Sequence, residues 1–314
     1  MRYIPIVISM LIIFISPFFG QIDISIDNIL DINKMDHQIF WEIRLPRTIL
    51  AFAIGSILAL SGLIFQTIFR NPMSTPFTLG VASGATLFTA IAIVLGFASY
   101  ISLFAFIGAM LTIVLLFIIA SRFDGVQTSS LLLVGIALSF FYSACLMVLF
   151  FVSNLQESYE IVRFTMGSLD IVGFSDVYMV VLASFFILVL VKYYQYPIKL
   201  LLTSYEFAML KGVDIKKTNY ILLLGVSIVV AICVSITGPI GFIGLIVPHI
   251  IKTMYKKSAD KLIMPIFFYG GIFLVLCDMV ARNTGSVSDI PIGVVTSFLG
   301  APFFIYLIIS RKKI

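Results

Sequence analysis

Between Ala98 and Ala120, and again between Gln127 and Val152, no residue carries a charge. Uncharged, mostly apolar runs of this length match what a helix needs to cross a hydrocarbon core of about 30 Å. They are continuous rather than alternating with period two, which favours helices over a membrane barrel. Hydropathy predicts ten such segments, near 3–20, 47–69, 76–95, 98–120, 127–152, 174–194, 218–237, 240–254, 262–281 and 290–310. The third and eighth are weakest: Asn71-Pro72 and Pro76 interrupt the chain before one, Gly238-Pro239 before the other. Residues 3–20 read as a retained first span, because Ser16-Pro17-Phe18-Phe19-Gly20 lacks an A-x-A-like cleavage site. The expected fold is an all-α polytopic membrane protein, one domain over residues 1–314.

Composition agrees: 61% of residues are hydrophobic and 11% charged, so lipid must solvate much of the surface. Charge sets the orientation. With the amino terminus inside, fifteen of the 20 basic residues fall on cytoplasmic segments, which places both termini in the cytoplasm. The net charge of +5 therefore reflects topology, and no solvated basic face points to nucleic acid. Cys145, Cys233 and Cys277 lie in apolar runs, and His37 and His249 are far apart. Neither set has metal-ligand spacing, so no metal or cofactor is expected.

Asp278 is the one acid well inside an apolar run, and Arg282 follows one turn later at i+4. An intrahelical pair is the simpler reading, a proton-coupling carboxylate the sharper one. The scarcity of buried charge weighs against an ion-coupled secondary transporter. Small residues at Ala51, Gly55 and Ala59, and at Gly80 and Gly84, predict close helix contacts.

Three segments go beyond topology. Arg44-Leu45-Pro46-Arg47, with Arg282, puts three cations on the outer side. They read either as snorkelling anchors or as a docking site for an acidic protein surface. Residues 195–217 form a long inner connection in which Thr203 or Ser204 caps a short helix that Gly212 ends. That helix is too short to span and suits a partner's groove. Gly238 to His249 holds three glycines and two prolines, so it reads as a broken, packed segment. No G-x-x-x-x-G-K-[ST] occurs, so any ATPase is a separate chain.

At these segments the chain resembles the permease subunits of ABC importers for ferric siderophores, haem and vitamin B12. The matching pieces are Arg44-Leu-Pro-Arg47, Ser61-Gly62-x-x-x-Gln66, Asn71-Pro72-Met73, Leu79-Gly80-x-x-x-Gly84-Ala85, Gly167-Ser168-Leu169, Gly241 through Val247-Pro248-His249 with Gly244 between, Asp278-x-x-Ala-Arg282, and Pro291-Ile-Gly293 through Gly300-Ala-Pro302-Phe303. Departures are mild: Met73 stands where Leu is usual, and Asp289-Ile290 where Glu-Leu is favoured. The resemblance implies a dimer of ten-helix subunits, identical or related, around one central path. It also implies two ATPase subunits inside, a periplasmic or lipid-anchored binding protein outside, and residence in a bacterial inner membrane. By position, Arg44, Arg47 and Arg282 would receive acids of the binding protein. Ser204, Glu206, Ala208, Leu210 and Gly212 would form the coupling helix in the ATPase cleft. Ser143 and the Met166-Gly167-Ser168 turn would line or gate the path. The cargo it favours is a ferric siderophore, with haem or vitamin B12 as alternatives.

Overall fold

The structure, a computed structural model, describes residues 4–121, 128–255, 259–284 and 289–311. Among them every regular element is helical: α1 (Ile4–Ile15), α2 (Met35–Gln38), α3 (Leu45–Ile68), α4 (Val81–Val94), α5 (Ile101–Ser121), α6 (Thr128–Val152), α7 (Leu155–Met166), α8 (Ser175–Tyr193), α9 (Gln195–Thr203), α10 (Tyr205–Leu210), α11 (Ile215–Thr237), α12 (Ile243–Tyr255), α13 (Ala259–Thr284) and α14 (Ile292–Arg311). Six helical stretches are long and apolar enough to cross a membrane, and four shorter apolar ones lie at Pro5–Phe18, Val81–Val94, Ile243–Tyr255 and Ile292–Tyr306. Together they occupy the ten predicted segments. Of the basic residues that set the expected orientation, Arg2, Arg122, Lys256, Lys257, Lys312 and Lys313 lie outside the described residues.

The bundle is organised around α3, almost wholly buried and packed against α8, α11, α12 and α13. Its small residues permit this. A Cβ on Gly55 would sit 2.3 Å from the Gly270 carbonyl oxygen of α13, and one on Gly62 would sit 1.9 Å from that of Gly244 on α12. Backbones meet at both crossings, so any side chain there forces the helices apart. Lipid is no poorer a solvent for Leu than a neighbouring helix is, so this close contact supplies the association.

The two weak segments are broken where expected. The turn Pro76–Leu79 leads into Gly80 at φ +81, and α4 starts only at Val81. Likewise α11 stops at Gly238 (φ +68), and α12 resumes after Phe242 (φ +67). At 13 residues α12 is about 20 Å long, short of a full bilayer core. Its irregular lead-in is tolerated because it is covered by protein: the position of a Gly238 Cβ lies 2.3 Å from the Phe164 carbonyl oxygen.

Two prolines follow one rule. A proline inside a helix leaves the carbonyl four residues back without its usual donor. For Pro46 that carbonyl is Glu42, and the Gly173 N–H bonds it at 2.7 Å. The chain over Ile39–Arg44 widens to a π-turn at this point, joining α2 to α3. For Pro248 the carbonyl is Gly244, and the Gln66 side-chain Nε2 donates to it at 2.9 Å. Gln66 Oε1 in turn accepts from Lys252 Nζ at 3.1 Å. Gln66→Leu should therefore leave a buried carbonyl unpaired and cost about 1–3 kcal/mol. A lowered thermal midpoint of the purified protein in detergent is the measurement; an unchanged midpoint would remove Gln66 as the replacement donor.

Candidate functional site

The residues singled out by sequence gather at three places. At the end expected to face outward, Pro46 sets α3 going just after the π-turn, so Arg44 closes that turn and Arg47 lies on the first turn of a helix pressed against α13. Arg47 Nε donates to Asp278 Oδ1 at 2.8 Å, and Arg282 Nε lies 3.0 Å from Asp278 Oδ2. The i+4 pair expected from sequence is thus half of a triad across two helices. Arg47 Nη1 also contacts Asp170 Oδ1 at 3.0 Å and Asp289 Oδ2 at 2.6 Å. Arg282 Nη2 donates to Ser16 Oγ at 2.8 Å. Arg44 donates to the carbonyls of Pro17, at 3.2 Å, and Ile22.

The expectation of three open outer cations is corrected in one respect. Arg44, Arg47 and Arg282 are only 4–6% exposed, because nearby carboxylates and loop carbonyls draw them inward. Nor are they snorkelling anchors at the lipid boundary. Arg47 is still reached from that end by a cleft of about 350 Å³, lined by Tyr159, Arg163, Met166, Asp170 and Asp289 among others. Asp170 and Asp289 escaped notice in sequence as site residues. They sit 123 and 242 positions from Arg47, and no local spacing signals such a partnership.

The second place is a meeting of three chain breaks. Gly167 (φ +71) follows α7, and the Ser168 N–H donates to the Thr237 carbonyl at 2.8 Å. A Cβ on Gly167 would lie 2.7 Å from the Pro239 carbonyl oxygen, and one on Gly293 would lie 2.2 Å from that of Met166. The Met166-Gly167-Ser168 turn, the Gly238–Gly241 break and the start of α14 therefore interlock backbone to backbone. A cavity beside them is lined by Met166, Gly241, Gly293 and Phe298. Ser143 is not brought in: it stands on the exposed face of α6, its hydroxyl donating to the Ser139 carbonyl at 2.8 Å. Helix α7 was not anticipated as an element, although Asn154 and Glu157 form a capping box at its start that the sequence spells out.

The third place is the opposite end, where Lys192 and Lys252 close α8 and α12. The short helix expected over 203–213 is α10. Ser204 Oγ accepts from the Phe207 N–H at 3.2 Å, and Gly212 at φ +78 ends the turn. Glu206 and Leu210 are exposed and Ala208 is buried against α9, so one face is held and the other presented. Tyr205 fixes the helix to the bundle. Its hydroxyl donates to the Ile68 carbonyl at the end of α3, and the Arg70 guanidinium lies 4.0 Å over its ring. Burial raises the Tyr205 phenol above its ordinary pKa, which keeps it a neutral donor. Beside it Asn71 shapes a turn, its Oδ1 accepting from the Met73 N–H at 2.9 Å with Pro72 between. His249, on α12, lines a cavity with Gln66, Pro72 and Lys252.

The FecCD transport family matches residues 8–310 of the chain. A protein of Helicobacter pylori named as an iron chelatin transport system permease is 36% identical over 276 residues, covering 88% of this chain and 84% of its own. One of Halobacterium salinarum named as a cobalamin import system permease is 36% identical, covering 86% and 73%. One of Yersinia pestis named as a hemin transport system permease is 34% identical, covering 88% and 84%. A solved structure described as an inward-facing metal-chelate type ABC transporter superposes with a TM-score of 0.88 at 27% identity over 98% of both chains.

Proposed function

The chain belongs to the FecCD transport family, and from that premise we propose that it carries a ferric siderophore inward, as the membrane permease of an ATP-driven importer. That it is an ABC importer permease follows from the family. The cargo reading is supported by the two matches named for metal chelates, one of them aligned over nearly all of both chains. The relatives named for cobalamin and hemin carry the second reading. Its partners are a second permease, identical or related, two ATPase chains inside and a binding protein outside, in a bacterial inner membrane.

In this scheme α10 presents Glu206 and Leu210 to the ATPase, and Tyr205 passes its movement to α3. The interlocked turns around Gly167 would have to separate for cargo to pass. The binding protein docks at the outer end, where an acid of its surface reaches Arg47 through the cleft beside Asp170 and Asp289. Asp278 is closed in by two arginines, with no open side for a coupling ion.

Uptake into proteoliposomes containing the permease, its ATPase and its binding protein tests the cargo. ATP-dependent accumulation of a ferric siderophore, without haem or vitamin B12, is the expected result; accumulation of either rival alone transfers the assignment. Orientation is tested separately with single cysteines in a cysteine-free background. A cysteine at Asp36 should react with an impermeant thiol reagent from outside, and one at Lys216 only after permeabilisation. Labelling of the Lys216 position from outside would mean an odd error in the span count.

A further inference from the structure

At the inner end a cavity of about 380 Å³ opens between the last turn of α3, α9 and α12. Its polar lining includes Gln66, Arg70, His249 and Lys252, and no carboxylate belongs to it among the described residues. Pro72 and Leu201 supply apolar wall. Arg70 is placed there at a conformational cost. It follows α3 with φ +46, in the left-handed region where a helix end favours glycine or asparagine. An arginine tolerated in that backbone is there for its side chain. The guanidinium lies 4.0 Å over the Tyr205 ring, and Arg70 is exposed on the cavity wall, where a guanidinium suits an oxyanion.

We propose that this cavity binds a phosphate-class anion, held by Arg70 with Lys252 and His249. A headgroup of an acidic phospholipid from the inner leaflet is one source and free phosphate is the other. The apolar wall favours the lipid, whose glycerol and upper acyl chains need such a surface, and basic recesses at cytoplasmic helix ends attract such headgroups. Bound there, the anion joins Arg70, and through Tyr205 the base of α10, to Lys252 on α12. The proposal rests on this end facing inward and is independent of the cargo.

Native mass spectrometry of the full-length permease in detergent tests it, with phosphatidylglycerol, phosphatidylcholine and inorganic phosphate as probes. Wild type should retain phosphatidylglycerol in preference to phosphatidylcholine. R70N, which suits the left-handed backbone while removing the charge, should lower that retention roughly fivefold. Lys211→Gln, which removes a cation at the same end but outside the cavity, should not. Inorganic phosphate that binds and displaces the lipid, both effects lost in R70N, establishes the anion site with the soluble source. Equal phosphatidylglycerol retention by wild type and R70N, with no phosphate bound, overturns the proposal. So does loss of retention in wild type once the ATPase chain is added, since the cavity would then be a protein contact.

Discussion

Replacing Asp278 with alanine is expected to cost about 3–5 kcal/mol, a large part of the stability of any domain. Asp278 is fully buried and holds Arg47 with one oxygen and Arg282 with the other. Arg47 would keep Asp170 and Asp289, so the loss falls mainly on Arg282, left with the Ser16 hydroxyl and carbonyl. A buried guanidinium without a counter-ion cannot shed its proton to escape the penalty. Asp289→Ala should be far milder, about 1 kcal/mol or less, because that carboxylate is partly exposed and Arg47 retains two other acids. Asp278→Leu combined with Arg282→Met should recover part of the loss, since both buried charges of the pair are then gone. Thermal midpoints and the monodisperse fraction on gel filtration in detergent measure all of these. An Asp278→Ala protein as stable as wild type would show that the triad is not what fastens α3 to α13.

The same geometry governs how docking can be tested. Charge reversal at Arg47 would bring a fourth carboxylate among Asp170, Asp278 and Asp289, so failure of that variant to bind a partner would report misfolding. Arg163 is the better position. Its side chain is 61% exposed, and it shares Asp170 with Arg47 at 3.3 Å.

What the sequence made legible follows from how local each signal is. Ten apolar runs mark ten helices because hydropathy is additive along the chain. The Ser204 cap and the Gly212 stop are legible because capping chemistry spans only three or four residues. Asp278 and Arg282 are legible for the same reason, at i+4. The partners of Arg47 are not, since three acids from distant segments meet only after folding. The carbonyl donors show the limit most clearly. Pro46 and Pro248 announce that Glu42 and Gly244 need new partners, but nothing local names Gly173 or Gln66. Burial of the arginines was missed because the three cations looked outward by topology, while the carboxylates drawing them inward were spread over the chain.

Gly212→Pro is expected to abolish uptake while leaving the permease in the membrane. Gly212 holds φ +78 and its N–H bonds the Met209 carbonyl at 2.9 Å, while the Val213 N–H bonds that of Ala208 at 3.0 Å. Proline fixes φ near −65° and has no N–H, so both the turn and its first hydrogen bond are lost. The chain beyond α10 would then leave in another direction and swing Glu206 and Leu210 off their line. The bundle is spared because α10 stands outside it, joined mainly through Tyr205 and the small cluster around Leu201 and Ala208. Gly212→Ala is the graded control. It keeps the N–H and meets no atom within 4 Å, so its penalty is only the left-handed strain, about 1–2 kcal/mol, and it should retain part of the activity. Glu206→Arg reverses the presented charge without touching the backbone and should also uncouple. The readout is stimulation of ATP hydrolysis by loaded binding protein in the reconstituted complex, compared with basal hydrolysis by the ATPase chain. Loss of stimulation with basal hydrolysis intact assigns α10 to energy coupling. Normal stimulation in both Gly212→Pro and Glu206→Arg would take that role from α10 and leave its Tyr205 contact with α3 as a purely structural tether.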